Sequence, residues 1–440
     1  MREEIENYVR GLGLDAYLVG GAVRDELLGL ESKDADFLVP GVDTEQLREA
    51  LAPHGRVEEL VVGGRLVGVR LIPRDKRIRE LTRVGVEFAP PRKEVSTGPG
   101  RHDFEIVADP ELSVEDDMRR RDFTVNAMAR RLETGELVDP LGGRADLEAR
   151  RLKTVSPQSF REDPLRIIRA LRFVSQLGFE PDQTLLEQMR EEAAAVKLVS
   201  GERIGGGLAA DGMGELSKLL LGREPARALA IARDTGVLAE LIPEFGAVPE
   251  YLSDHIFAVV QASADAGDAL AVRLAALFHD VGKPIDGDPL GHARVGAEIA
   301  AKTLRRLRYP SRLVSRVVSI VRAHPFHAET APREPRELRR YLAEHGDELA
   351  ADITAMRFAD LRAKNRDESV LEEVAAGLER ERANPHRIAD LAVTGDDLIE
   401  IGFTAGPALG GALRTLLDAV LDNPELNTRD ELLARAKELC

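Results

Sequence analysis

The chain has no tryptophan, one cysteine and few other aromatic residues, 13 Phe and 5 Tyr in 440 positions. A single cysteine, Cys440, can form neither an intrachain disulfide nor a cysteine metal site, which suits a reducing compartment, and the expected location is cytoplasmic. No uncharged apolar run is long enough to span a bilayer, and the opening MREEIENYVR has no apolar signal core, so no membrane partner is expected. An excess of positive charge is also missing. The 61 basic residues face 77 acidic ones, a net charge of −16, which excludes a general polyanion binder and confines any nucleic-acid contact to local basic patches.

At 440 residues the chain is too long for one ordinary core, and two to four domains are expected. Up to about Arg150, short Val- and Leu-rich runs bounded by Gly or Pro alternate with helical patterns. Ala16–Val19, Phe37–Val39, Leu60–Val62, Leu66–Leu71 and Val84–Phe88 read as strands. Beyond Arg151 helical periods take over, as in DPLRIIRALRFVSQLGF and VRLAALFHDVG. The expected class is α+β, a head of strands and helices leading a long helical body.

One stretch of the head, LVGGAVRDELLGLESKDADFLV (Leu18–Val39), carries chemistry. Gly20 and Gly21 lie between a strand and a helix, where backbone N–H groups can approach a phosphate and the helix dipole favours it. Asp34 and Asp36 share one face of the next strand, because side chains alternate along it. Two converging carboxylates call for a hard cation, and Mg²⁺ is the natural occupant. Alone, D-x-D is more often a solvated loop and Gly-Gly more often a turn.

VGGAVRDELLG followed by DAD resembles the first signature of class II tRNA nucleotidyltransferases and bacterial poly(A) polymerases, in the DNA polymerase β superfamily. The family's further motifs follow in order: RRDFTVNAMA (Arg120–Ala129), DPLGGRADL (Asp139–Leu147) and EDPLRIIRALRF (Glu162–Phe173). The resemblance implies a polymerase β-like head with a mixed or antiparallel sheet, followed by all-helical neck, body and tail. The ranges read here are 1–150 for the head, 151–222 for the neck, 223–383 for the body and 384–440 for the tail. It implies that Asp34 and Asp36 hold two Mg²⁺ ions. Gly20, Gly21 and Arg24 would seat the triphosphate, Arg121, Asp122 and Asn126 the sugar and phosphates, and Asp163 with Arg166 would select CTP or ATP. Asp163 and Arg166 stand three apart, so on a helix they lie close enough to lock each other while offering acceptors and donors to a base edge. A flexible loop used by the family to switch from C to A is expected within Pro91–Asp117. The fifth motif departs from the family pattern: Glu202-Arg203-Ile204 is separated from Glu215-Leu216 by GGGLAADGMG (Gly205–Gly214), whose glycines should break a helix.

The body holds His255, His279-Asp280 in LFHDVGKP, and Asp360. This set resembles the ligand pattern of HD-domain phosphohydrolases. Carboxylates and imidazoles set among apolar residues need partners, and a divalent metal such as Mg²⁺, Mn²⁺ or Ni²⁺ would supply one. His292 and His324 match positions often polar in that fold, and Lys283 could contact a phosphate. Arg305, Arg308, Arg312 and Arg316 recur at three- and four-residue spacing and are candidates for tRNA backbone contact, a solvated basic face being the alternative.

The reading is therefore template-independent addition of C and A to the tRNA 3′ end from CTP and ATP, in a monomer or homodimer. An HD phosphohydrolase activity on 2′,3′-cyclic or terminal phosphates accompanies it. The alternatives are a poly(A) polymerase, an enzyme adding only CC or only A, and an HD phosphohydrolase with an RNA-binding head.

Overall fold

The computed structural model describes all residues except 1, 31–35, 63, 83–84, 97–103, 207–211, 326–330 and 440. Asp34 therefore lies outside the described residues. The chain forms two compact units, Met1–Gly246 and Ala247–Cys440.

The first unit is built on a seven-stranded sheet. Its strands are β1 (Tyr17–Val19), β2 (Asp36–Leu38), β3 (Gly55–Val62), β4 (Arg65–Pro73), β5 (Val86–Ala89), β8 (Ala129–Arg131) and β9 (Leu137–Val138). Their order is β3-β4-β5-β2-β1-β8-β9. Every pairing is antiparallel except β2 with β5, so the sheet is mixed, as expected. Phe37 and Phe88, neighbours across that parallel pair, stack with centroids 5.6 Å apart and are fully buried. The strand expectations hold to within a few residues.

Within Pro91–Asp117, the range expected to hold a flexible loop, an antiparallel pair joins β6 (Arg92–Ser96) to β7 (Phe104–Ala108), and the helix Val114–Arg119 begins, capped by Ser113; residues 97–103 lie outside the described residues. The alternating apolar residues of FEIVA carry the strand signal.

After the head, a short parallel ladder joins β10 (Arg151–Leu152) to β11 (Glu180–Pro181). Between them the helix Leu165–Leu177 buries Ile167, Ile168, Leu171, Phe173 and Val174. Each contributes roughly 1.5–3 kcal/mol by leaving water. Helices Glu215–Leu220 and Pro225–Asp234 pack on it.

The second unit is helical. The helix Leu270–Phe278 is buried from Ala271 onward and packs against helices Glu250–Asp265, Pro289–Arg306, Ser311–Ala323 and Pro335–Ala363. The chain breaks its helical path at Gly346 (φ 73°) within Pro335–Ala363. A separate apolar cluster, including Leu398, Leu416, Val420 and Leu432, forms around the helix Pro407–Asp422. Buried Arg339 ties that helix down, donating to the Leu421 carbonyl (2.8 Å) and to Glu381 (2.7 Å). Among the described residues no helix is long and apolar enough to cross a membrane.

Candidate functional site

In the head, β1 runs into Gly20 and the seven-residue helix Gly21–Leu27. Gly20 has φ 68°, and a Cβ there would lie 2.5 Å from Arg121 Nη1. Its amide donates to the Met128 carbonyl (3.1 Å), so it is spent on the fold. Among the backbone N–H groups expected to approach a phosphate here, the Gly20 amide is taken by the fold, and the glycine also leaves space for the Arg121 guanidinium against the backbone.

Asp36 opens β2 and is exposed. The parallel register sets it beside Glu87 of β5. Both line a cleft of 630 Å³, with Glu59, Arg92, Arg120 and Arg121 among the other polar residues of its wall. That volume suits a nucleotide. The sequence reading missed Glu87. Its signal was a lone carboxylate inside the apolar run VEFA, but only the strand register shows what it faces. Arg70 donates twice to Glu87 Oε1, at 3.1 and 2.6 Å, and neither bond uses Oε2.

Arg120 and Arg121 are held from below by Asp117, a fully buried carboxylate that accepts 2.7 and 3.0 Å bonds from them. Burial disfavours its charge, but the two guanidiniums hold its pKa below the ordinary carboxylate value.

Asp122, Asn126, Asp163 and Arg166 are not among the residues lining the cleft. Asn126 donates to Asp122 Oδ1 (3.0 Å) and accepts from Arg24 Nη1 (2.7 Å). Asp122 Oδ2 takes two bonds from Arg169, at 2.9 and 2.6 Å. Burial would raise the Asp122 pKa, yet Arg169 and Asn126 pull it far below the usual range. These bonds join the helix Gly21–Leu27 to the helix Leu165–Leu177. Asp122→Asn takes from Arg169 the nearer of its two carboxylates, leaving Glu215 at 3.4 Å, and should cost about 2 kcal/mol of stability, read as a lower urea midpoint with unchanged slope.

Asp163 and Arg166 do not lock each other. Asp163 is extended (φ −145°, ψ 102°), ahead of the helix that starts at Leu165, so helical i,i+3 geometry does not apply. Asp163 is gripped by Arg203, Nη1 to Oδ1 at 3.1 Å and Nη2 to Oδ2 at 2.7 Å. Arg166 is buried and donates to Glu162 (2.9 Å) and to the Arg120 carbonyl (2.8 Å), which brings it up to the cleft wall.

In the second unit, His255, His279, Asp280 and Asp360 converge as expected, although they come from three separate helical segments. His279 and His255 bring their Nε2 atoms to 3.3 Å. Asp280 Oδ2 lies 3.5 Å from His255 and 3.3 Å from His279, and Asp360 Oδ1 lies 3.2 Å from His255. The other oxygen, Asp280 Oδ1, faces His292 at 3.5 Å and His324 at 3.6 Å. Two ligand groups thus share one carboxylate: His255, His279 and Asp280, and Asp280, His292 and His324. His279, His292 and His324 each turn Nδ1 to a backbone carbonyl, of Ala276, Asp288 and Val321 respectively. Those bonds fix the proton on Nδ1 and leave the Nε2 lone pairs facing inward, which fits divalent cations. Burial pushes the His324 pKa down to about 4, keeping it neutral and able to ligate. Lys283, Lys364 and Arg357 pair with the two carboxylates at the pocket wall. Gly282 explains the sequence HDVG: a Cβ there would stand 2.3 Å from the His292 carbonyl, so only glycine lets the turn press this close to the helix carrying His292.

The basic residues Arg305, Arg308 and Arg312 are exposed, but they do not line one helix. Arg305 lies in the last turn of the helix Pro289–Arg306, Arg308 sits in the turn (φ 61°), and Arg312 lies in the first turn of the helix Ser311–Ala323. Arg316 is committed to Asp352 and Glu348.

Known families divide the chain along the same lines. The Poly A polymerase head domain matches residues 16–153, the probable RNA and SrmB-binding site of polymerase A matches 178–248, and the HD domain matches 252–376. The multifunctional CCA protein of Thioalkalivibrio sulfidiphilus is 33% identical over 431 residues, 91% of this chain and 96% of that one. The chain belongs to the multifunctional CCA protein family. The family member from Ralstonia nicotianae is 34% identical over 336 residues, covering 71% of this chain and 72% of its own. Among solved structures, the Bacillus stearothermophilus CCA-adding enzyme in complex with CTP superposes with a TM-score of 0.73. It is 27% identical and covers 99% of this chain and 95% of that one. The Thermotoga maritima CCA-adding enzyme complexed with tRNA shares the fold, at a TM-score of 0.60 and 19% identity over 99% of this chain and 94% of that one.

Proposed function

We propose that the chain is a template-independent tRNA nucleotidyltransferase that adds C and A to the 3′ end from CTP and ATP, and that its HD site is a metal-dependent phosphohydrolase. The observation that carries the first part is the 630 Å³ cleft, which sets Asp36 and Glu87 among Arg92, Arg120 and Arg121. Carboxylates on such a wall suit Mg²⁺, and arginines suit a triphosphate. Mg²⁺ held by Asp36, with Asp34 and Glu87, would supply acidification of the tRNA 3′-hydroxyl and stabilisation of charge at the α-phosphorus. The protein's own part is positioning. Arg120 and Arg121, pinned by Asp117, bind phosphate oxygens, and Gly20 gives Arg121 its place. Asp163 accepts from the amino group of cytosine or adenine while Arg166 donates to the ring edge.

The deciding experiment is incubation with tRNA transcripts ending before C, CC or CCA, with labelled CTP and ATP supplied separately and together. Addition that stops at CCA is expected. Unbounded A-tailing of unrelated RNA would overturn the reading in favour of a poly(A) polymerase.

At the HD site, the shared Asp280 supports two cation positions, with Lys283, Lys364 and Arg357 available to a phosphate once the carboxylates are engaged by metal. Cyclic or terminal phosphates at RNA ends fit this chemistry.

The tRNA backbone is assigned to the helical turn bearing Arg305, Arg308 and Arg312. Reversing Arg305 and Arg312 to Glu should weaken tRNA binding by about tenfold or more near 0.1 M salt. The slope of log K against log salt should become shallower by roughly two. An unchanged slope would place the tRNA elsewhere.

A further inference from the structure

We infer that Arg203 is a positioning residue for nucleobase choice: it aims the Asp163 carboxylate so that a base must present an amino group to be accepted. The inference rests on the proposed role of Asp163 in base selection. Two parallel guanidinium bonds, 3.1 Å to Oδ1 and 2.7 Å to Oδ2, fix the plane of that carboxylate. The Leu165 amide adds a third bond, 3.1 Å to Oδ1. A carboxylate has about four acceptor positions, so about one remains, and it lies on Oδ2. Cytosine N4 and adenine N6 can donate to it. Uracil O4 and guanine O6 would set oxygen against oxygen there.

Arg203 is held firmly enough for this task, although its helix, Gly201–Ile204, has only four residues. The Gly205 carbonyl that ends it accepts from the Gly214 amide (3.0 Å) and from Ser217 Oγ (3.1 Å). Gly206 and Met213 form a bridge, and a Cβ on Gly214 would stand 2.3 Å from the Ile204 carbonyl. The segment is thereby fastened to the helix Glu215–Leu220. Glu215 in turn binds Arg172 (2.9 Å) and Arg169 (3.4 Å) on the helix that follows Asp163. Arg203 and Glu215 form two ends of one bracket around the start of Leu165–Leu177. The glycine-rich stretch that breaks the family's compact motif keeps both of its ends in contact with that helix.

The test uses the full chain and a transcript ending before the first C, with kcat/KM measured for CTP, ATP and UTP. In Arg203→Gln the UTP-to-CTP ratio should rise about tenfold, with much of the change in KM for CTP. Arg203→Lys, which keeps the charge but not the fork, should fall between that variant and the native chain. It also serves if the glutamine variant melts early. A ratio that moves in Asp163→Asn but not in folded Arg203→Gln overturns the inference and leaves base selection by Asp163 standing. A ratio unmoved in both overturns that reading itself. Equal loss on all three nucleotides makes Arg203 a structural support only and also overturns the inference.

Discussion

Asp36→Ala is expected to lower nucleotide incorporation by about a thousandfold or more, whichever of CTP or ATP is supplied. The residue is exposed at the head of β2, so no packing is lost and the melting temperature should hardly change. What is lost is a carboxylate where the parallel register brings β2 and β5 together. Glu87→Gln should lose less, because Arg70 still orients the side chain and the amide keeps one acceptor oxygen. Hydrolysis of a 2′,3′-cyclic phosphate should be untouched by either change, since the ligands assigned to it lie in a different compact unit. A folded Asp36→Ala protein that lost both activities would contradict separate sites.

The second large effect is expected at Asp280. Each of its oxygens faces a different pair of imidazoles, so Asp280→Asn should abolish Mn²⁺ binding at both positions. His324→Ala should remove only one of the two. Equilibrium dialysis reads this as a difference: one Mn²⁺ fewer than the native chain in His324→Ala and two fewer in Asp280→Asn, the head's carboxylate site contributing equally to all three. Cyclic-phosphate hydrolysis should fall by about a thousandfold in Asp280→Asn, while CTP incorporation persists. Equal Mn²⁺ counts in the native chain and His324→Ala would remove the second position.

Much of this was legible from residue order. The alternating apolar runs placed the strands of the head, because half-buried strands require that period. His255, His279-Asp280 and Asp360 were legible as a set because charged and polar side chains inside apolar helices need partners. What was not legible depends on pairings between distant residues. The spacing of Asp163 and Arg166 suggested a local pair, but the helix begins only at Leu165, and the true partner, Arg203, lies 40 residues away. Glu87 looked like an ordinary strand carboxylate until the β2–β5 register was known. Gly20 was legible as a turn glycine beside a phosphate site, yet no local pattern reveals that Met128 uses its amide and Arg121 needs the space. The basic run from Arg305 suggested one helical side, and the turn at Arg308 divides it.

The Asp122–Arg169 pair bears on how one cleft could serve three successive additions. A buried ion pair is brittle: it tolerates small shifts, and pulling it apart leaves a charge stranded at a cost of about 3–5 kcal/mol. It is reinforced by Arg166 on the Arg120 carbonyl, by the Thr124 amide on the Lys153 carbonyl, and by Gly143, whose missing Cβ would stand 2.1 Å from the Thr124 carbonyl. The sheet and the helix Leu165–Leu177 are therefore cross-braced at several points. Adjustment from one base to the next is thus expected without relative movement of the sheet and that helix, because Asp163 and Arg166 are held by the same frame.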